Sequence, residues 1–286
     1  MNPNQNKTFV GILVHSWLIL AVALLLAACG NPRREAPPED PPAKPAPEEP
    51  AKPAPVKDAL LAVRYAVGQK FRTTRTLSVS EQTESGTVST QADEITITEV
   101  KEVDGNGRLI AAIRSYDRSR QRFARGATPE ETTGAIEGAV LELRRKDAAS
   151  PVSATVIKGN PDLAGPKFLL DGFDAALLPA ATVAEADNWS LQGAELLGLN
   201  AIIEALGFKI EKNRLDCRVM ALSEKTAAIS LDWRLTGSFN QQPAVLEFTG
   251  TLEFDRVSGL IARFNLGGGR QGGGKSVEIN VVRAAE

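Results

Sequence analysis

The most suggestive chemical pattern in this chain lies near its C-terminal end, at residues 269–276. They read G-R-Q-G-G-G-K-S, which matches the spacing G-x-x-x-x-G-K-[ST] of phosphate-binding loops. In such loops a helix follows the glycines, so that its N-terminus and the lysine hold the phosphates. Here Ser276 is followed by V-E-I-N-V-V, an alternation that is typical of a strand. We therefore predict a flexible glycine hairpin loop and no nucleotide binding.

Side chains that could perform acid–base, nucleophilic or metal chemistry are sparse. The only histidine, His15, lies in an apolar N-terminal segment, and Cys217 lies in a predicted strand, where a buried thiol is inert. The acidic pairs Asp93-Glu94 and Glu130-Glu131 are adjacent in sequence, so a strand would point their carboxylates to opposite faces. We predict no catalytic residues, no metal site and no cofactor, and hence that the protein is not an enzyme.

The N-terminal segment has the three-part layout of a secretory signal. Residues 1–8 are polar with Lys7 as their only charged side chain, and residues 9–26 are almost wholly apolar. Ala27 and Ala28 then supply small side chains directly before Cys29. A positive region, an apolar region and a small-residue cleavage site in this order predict export across the inner membrane.

The end of this segment also indicates the kind of signal. Leu26-Ala27-Ala28-Cys29, followed by Gly30, resembles the lipobox of bacterial lipoproteins. The resemblance implies cleavage between Ala28 and Cys29, and attachment of a lipid with acyl chains such as palmitate to the Cys29 thiol. It implies the membrane and the lipoprotein-processing and sorting machinery as partners. Gly30 stands where enteric lipoproteins of the inner membrane carry aspartate, which implies the outer membrane, on its periplasmic or surface side, in an organism that has two membranes.

An uncleaved transmembrane anchor is the alternative for residues 9–26. The apolar stretch of about 20 residues is long enough to span about 30 Å of hydrocarbon. An anchor does not require two alanines and a cysteine at its end, so we interpret residues 1–28 as a lipoprotein signal peptide. Both interpretations place the rest of the chain outside the cytoplasm.

Residues 29–57 have the composition of a disordered linker. Ten prolines occur between Asn31 and Lys57, and Pro-Ala-Lys-Pro-Ala-Pro occurs at 42–47 and again at 50–55. Such a stretch has too little apolar surface to offset its ordering entropy, and proline favours an extended chain of about 3.1 Å per residue. We predict a spacer between membrane and domain; a tether into the cell-wall layer, or a segment that docks a partner, is the alternative.

From residue 58 onwards, long alternating runs of apolar and polar residues predict strands. Asp104-Gly105-Asn106-Gly107, between two such runs, predicts a hairpin. The predicted strands lie near residues 69–80, 87–103, 107–122, 139–146, 151–158, 208–222, 226–239, 244–254, 259–266 and 276–282. Most exceed the usual length of about five or six residues, which favours a broad, curved antiparallel sheet with one solvated face.

Two short helices are predicted between the strand blocks. Residues 195–206 place four apolar side chains on one stripe, and Gly207 then suits a C-terminal cap. The stripe consists of Leu196, Leu199, Ile203 and Leu206. Residues 173–178 form a second, shorter candidate, and Trp189 and Trp233 are expected in the core or packed against the sheet.

These elements predict one mainly β domain of the α+β type in residues 58–286. It would contain a large curved antiparallel sheet, or half-barrel, with one or two short helices. The arrangement, with the turn L-E-F-D-R-V-S-G-L-I-A-R-F at 252–264, resembles the half-barrel of the periplasmic lipoprotein carriers and receptors. Some members of that superfamily hold acyl chains in the concave face. The resemblance therefore implies a non-catalytic module for an apolar ligand or a lipoprotein, and it assigns no ligand-contact residues.

A different class of function remains open. The protein could be a structural or interaction protein of the cell envelope that presents its sheet to a protein partner. Apolar residues on both faces of a long strand would favour the ligand-binding module, whereas strict alternation would favour the interaction protein. The net charge of −2 and the absence of a basic bias argue against nucleic acid as a partner.

Overall fold

The fold comes from a computed structural model that describes most of the chain after the predicted linker. The described residues are 58–83, 86–125, 129–147, 150, 152–161, 163, 174–179 and 181–286. The predicted signal peptide (1–28) and linker (29–57) lie outside them, as do the cleavage site at Ala28 and the lipidation site at Cys29. Those assignments therefore stay predictions.

The described chain is mainly strand, and the predicted fold class is confirmed. The strands are β1 (Ala59–Leu60), β2 (Lys70–Thr83), β3 (Gly86–Val103), β4 (Leu109–Arg125), β5 (Glu130–Thr133), β6 (Val140–Arg144), β7 (Ser153–Lys158), β8 (Thr182–Val183), β9 (Asn188–Gln192), β10 (Phe208–Leu222), β11 (Thr226–Phe239), β12 (Gln242–Asp255), β13 (Leu260–Arg270) and β14 (Lys275–Ala285). The helices are α1 (Asp174–Leu177) and α2 (Leu197–Ala205), and a 3₁₀ turn at Gly193–Leu196 leads into α2.

A twelve-stranded antiparallel sheet contains every described strand except β1 and β8, which pair with each other. Its order is β7-β6-β4-β3-β2-β14-β13-β12-β11-β10-β9, and β5 pairs with β4 beside β6. The edge strands β7 and β9 do not pair with each other, so the sheet is open. β14 lies between β2 and β13, and it therefore joins the strands β2–β7 to the strands β9–β13.

The predicted hairpin between β3 and β4 is confirmed. The Asp104 carboxylate accepts the backbone N–H groups of Asn106 and Arg108, each at 2.8 Å. Gly107 has a φ of 76°, a left-handed conformation that glycine adopts without a steric penalty. The turn chemistry of Asp-Gly-Asn-Gly thus sets the register with which these two long strands begin to pair.

One face of the sheet, the inner face, carries the main apolar core. In β11 the buried residues alternate with exposed or half-buried ones along the strand. The buried side chains of β11 are Ala227, Ile229, Leu231, Trp233 and Leu235. The neighbouring strands place Leu215 and Phe248 directly opposite Trp233. This period of two is the pattern of an antiparallel sheet with one face in water.

Helix α2 packs against the inner face. Its predicted stripe is buried in the same cluster as the sheet: Leu196, Leu199, Ile203 and Leu206 are 1%, 0%, 0% and 9% exposed. Leu197, on the opposite side of the helix, is 68% exposed. Gly207 follows with a φ of 83°, as its predicted capping role requires. The prediction is thus confirmed, although the first residues of 195–206 form a 3₁₀ turn rather than an α-helix.

A second core cluster lies under β2, β3, β4 and β6. It contains Tyr65, Phe71, Val100, Leu109, Leu141, Leu143 and Leu260. The rings of Tyr65 and Phe71 are 6.0 Å apart, which fixes the segment before β2 against the sheet. This cluster therefore holds the incoming chain in place next to the turns at one end of the strands.

Candidate functional surfaces

The glycine-rich pattern near the C-terminal end forms a hairpin. Strand β13 ends at Arg270, residues 271–274 form the turn, and β14 begins at Lys275. Gly272, Gly273 and Gly274 have φ values of 88°, 90° and 95°, which explains the glycines at these positions. The predicted hairpin is confirmed. A strand follows the loop, so the helix N-terminus that a phosphate-binding loop requires is not formed here.

The lysine of this pattern has a structural contact instead. Lys275 Nζ lies 3.4 Å from the carbonyl oxygen of Leu206, at the C-terminal end of α2. The same ammonium group lies 5.0 Å from the centroid of the Phe239 ring. A cation at a helix C-terminus complements the helix dipole, and a cation over an aromatic face adds further attraction. Lys275 therefore helps to hold α2 on the sheet.

We expect Lys275→Ala to lower the free energy of unfolding by about 0.5–1 kcal/mol, because both contacts are lost. We expect no change in nucleotide binding, because ATP and GTP should not bind either form. Denaturant unfolding measures the free energy of unfolding, and calorimetric titration measures nucleotide binding. The matched control is Lys209→Ala, which lies on the exposed surface of β10. ATP binding that Lys275→Ala abolishes would overturn the hairpin interpretation.

The candidate nucleophile Cys217 is buried, and the carboxylates of Asp93 and Glu94 lie on opposite faces of the sheet. Cys217 is 1% exposed, and burial, with a smaller contribution from Asp216, raises the pKa of its thiol to about 12. The thiol is thus protonated at neutral pH. Asp93 accepts a hydrogen bond from Thr76 at 3.0 Å, whereas Glu94 forms an ion pair with Arg75 on the other face. In the described part of the chain, no three His, Cys, Asp or Glu side chains are grouped to hold a metal ion.

The inner face is closely filled between β9 and β14. Trp233 is fully buried, and its ring lies 5.5 Å from that of Phe248. The predicted core position of Trp233 is confirmed; Trp189 is half-buried and donates its Nε1–H to the Leu177 carbonyl at 3.2 Å. Among the described residues, Trp233 Nε1 has no hydrogen-bond acceptor. The indole N–H is therefore a buried donor without a partner. Such a group lowers the free energy of unfolding by about 1–3 kcal/mol.

The outer face of the sheet is polar along continuous rows that cross the strands. One row follows the register from β9 to β5 through Asn188, Arg218, Ser230, Thr251, Asn265, Asn280, Thr76, Asp93, Arg120 and Thr133. The next row runs through Ser190, Asp216, Asp232, Thr249, Gly267, Glu278, Ser78, Gln91, Arg122 and Glu131. Neither row contains a large apolar side chain.

Neighbours within these rows bind each other. In the first row Thr76 donates to Asp93 at 3.0 Å, and in the second Arg122 donates to Glu131 at 2.6 Å. The hydrogen bond from the Ser190 hydroxyl, with support from Arg214, lowers the pKa of Asp216. These contacts fix side chains that would otherwise be free to rotate. The outer face is therefore an ordered polar surface with both hydrogen-bond donors and acceptors.

A shallow groove of about 560 Å³ lies on this face at β9 to β12. Its polar lining includes Asn188, Ser190, Asp216, Arg218, Asp232 and Thr249. Asp216 and Asp232 lie directly opposite each other on neighbouring strands, so their charges repel unless cations intervene. Arg214 supplies one cation, 2.9 Å from Asp216. The groove therefore places two facing carboxylates and the Arg214 guanidinium group on the outer face.

Sequence reasoning identified the residue types of this surface but missed the rows. The alternation of each strand shows which residues point outwards, but it does not show which outward residue of one strand faces which residue of the next. That information requires the register, which the sequence leaves undefined.

Comparison with known proteins gives no further guide. No protein-family model matches the sequence, and the search of curated proteins finds no significant match. Within the described residues, no helix has the length and apolar character needed to cross a bilayer.

Proposed function

We propose that this protein is a lipid-anchored, non-catalytic protein of the bacterial cell envelope that presents the outer face of its sheet to a protein partner. Anchoring is supported by the Leu26-to-Cys29 pattern at the end of an apolar run, with Cys29 as the lipidated N-terminus and Ala28 before the cleavage site. The linker at 29–57 would separate the domain from the outer membrane by up to several tens of Å.

The observation that carries the interaction function is the division of strands β10, β11 and β12 into one buried and one exposed face. The buried residues of β10, β11 and β12 alternate with exposed ones, and α2 covers the inner face with its apolar stripe. The surface left for a partner is thus the polar outer face. Its ordered rows lose little side-chain entropy on binding, which favours recognition by a protein.

Binding of an apolar ligand or a lipoprotein acyl chain is the second candidate, and Trp233 favours it. The unsatisfied indole N–H of Trp233 could donate to a carbonyl oxygen of a ligand that enters the core. This function requires α2 to move, because its stripe occupies the inner face.

Mass spectrometry of the full-length protein from membranes, with Cys29→Ala as comparison, tests these proposals. We expect an acylated N-terminus at Cys29 in the parent, and an unlipidated, uncleaved N-terminus in Cys29→Ala. We also expect organic extraction to release no lipid at one molecule per chain. An unacylated parent would refute the anchor, and a stoichiometric extracted lipid would support the ligand-binding function instead.

A further inference from the structure

The turn between β3 and β4 contains the only Asn-Gly pair of the sequence, Asn106-Gly107. Asparagine before glycine is especially prone to lose its side-chain amide spontaneously, because glycine has no Cβ that keeps its own nitrogen away from the asparagine side chain. The same turn also contains an Asp-Gly pair, Asp104-Gly105, which can react by the same route. Which pair reacts depends on how the fold holds these side chains and the nitrogen atoms that follow them.

The Asp104 carboxylate has a structural role that protects it. It accepts the backbone N–H groups of Asn106 and Arg108, each at 2.8 Å. The bond from the Arg108 N–H, with a further contribution from that of Asn106, lowers the pKa of the Asp104 carboxyl group. The group is therefore ionised at neutral pH, and an ionised carboxylate is a poor target for attack by a backbone nitrogen.

The Asn106 side chain has no comparable role in the turn. It is exposed, and among the described residues its amide group has no hydrogen-bond partner. The left-handed conformation of the turn falls on Gly107, with a φ of 76°, and not on Asn106. The turn therefore does not use the tolerance of asparagine for that conformation. The amide group of Asn106 is free to rotate towards the nitrogen of Gly107.

The nitrogen of Gly107 is held by one backbone hydrogen bond. Gly107 N donates to Asp104 O at 3.0 Å, and this bond must break before the nitrogen can attack. The bond closes a surface turn in which Gly105 and Asn106 are exposed. Local opening of such turns costs little free energy. The hydrogen bond therefore slows the reaction but does not prevent it.

We propose that Asn106 is a site of spontaneous deamidation in the folded protein. Gly107 N forms a bond to Asn106 Cγ, and Nδ2 leaves as ammonia with the proton that Gly107 N gives up. Water then opens the resulting cyclic imide at either of its carbonyl carbons, which leaves aspartate or isoaspartate at position 106. The reaction consumes only water and needs no enzyme, metal ion or oxidant.

Isoaspartate at this position changes a contact that holds the segment leading into β2. The main chain then runs through the side-chain carbons of residue 106, so the turn becomes longer by one atom. Gly107 O accepts the N–H of Tyr65 at 2.8 Å, and the Tyr65 ring lies 6.0 Å from that of Phe71. Displacement of Gly107 therefore weakens the attachment of Tyr65, and with it that of the segment before β2.

Peptide mapping of the full-length protein, kept in warm and mildly alkaline buffer, tests the proposal. Trypsin cuts after Lys101 and Arg108, so residues 102–108 are released as one peptide. Digestion in heavy-oxygen water marks any conversion that occurs during the digestion itself. Asn240 is the internal control, because it is also an exposed asparagine in a hairpin turn but is followed by Gln241. Asn106→Gln is the control variant.

We expect the 102–108 peptide of the native protein to convert with time into aspartate and isoaspartate forms, which chromatography separates. The peptide of Asn106→Gln should stay unchanged. Conversion at Asn240 should be slower by about tenfold or more, since a barrier higher by about 1.4 kcal/mol already has that effect. Hydrogen exchange at the Tyr65 N–H should be faster in the isoaspartate form than in the unconverted protein.

Two results would overturn the deamidation site. One is conversion of Asn106 only after denaturation, which would mean that the turn protects it fully in the folded protein. The other is an equal rate at Asn106 and Asn240 in the native protein, which would mean that Gly107 confers no reactivity. Unchanged exchange at the Tyr65 N–H in the isoaspartate form would refute the loosening of the segment before β2.

Discussion

Replacement of Leu199 with aspartate should destabilise the protein by about 4 kcal/mol or more. Leu199 is fully buried in the cluster between α2 and the inner face, so the substitution removes apolar contacts and places a charge among apolar side chains. Leu197→Asp is the control, because Leu197 lies two residues away on the same helix and is 68% exposed. Its effect should stay within about 0.5 kcal/mol. Chemical denaturation of both variants measures the difference.

The same pair of variants shows whether helix α2 stays packed on the inner face or moves away from it. If α2 is a fixed part of the core, neither variant should bind a fluorescent fatty-acid probe under native conditions. A tolerated Leu199→Asp substitution that increases probe binding would show that the helix opens, and it would favour the ligand-binding function. Tolerance without probe binding would contradict the packing of α2 itself.

The second large effect is expected at Gly268. A Cβ atom at this position would lie 2.0 Å from the Glu247 carbonyl oxygen and 2.6 Å from Phe248 Cα, both on the backbone of β12. Backbone atoms within a paired strand cannot move away cheaply. We therefore expect Gly268→Ala to cost about 2–3 kcal/mol, as overpacked sites do.

Gly267 provides the matched control in the same strand. A Cβ atom there would have no other atom within 4 Å, so Gly267→Ala should be neutral or slightly stabilising. Thermal unfolding of the two variants measures the contrast. Equal melting temperatures would mean that β13 and β12 are not in this register.

The amount of the fold that the sequence could reveal depended on element length. The limits of β10 and β11 were predicted correctly at 208–222 and 226–239, because long alternation leaves little choice of ends. Strands β1, β5, β8 and β9 were missed as separate elements, since two to five residues are too few to establish a period. Position 173 of the predicted short helix lies outside the described residues, whereas α1 covers its centre.

The candidate surfaces were only partly predictable for a related reason. The glycine loop was interpreted correctly as a hairpin because V-E-I-N-V-V alternates after it. The contact of Lys275 with Leu206 joins residues that are far apart in sequence, so no local pattern reveals it. Alternation along a strand shows which face of the sheet each residue lies on, but not which residue it pairs with on the next strand. Contacts between residues far apart in sequence depend on that pairing register.

The position of β14 sets the order in which the sheet can assemble. This strand is the last one made among those described, yet it lies in the interior of the sheet, between β2 and β13. Until it emerges, the two blocks of hairpins on either side can form locally but have no strand that connects them. The β2–β14 pairing closes a loop of nearly the whole described chain, which is entropically costly and slow. A chain still in translation would therefore hold two unjoined half-sheets with open edges, which need protection from aggregation.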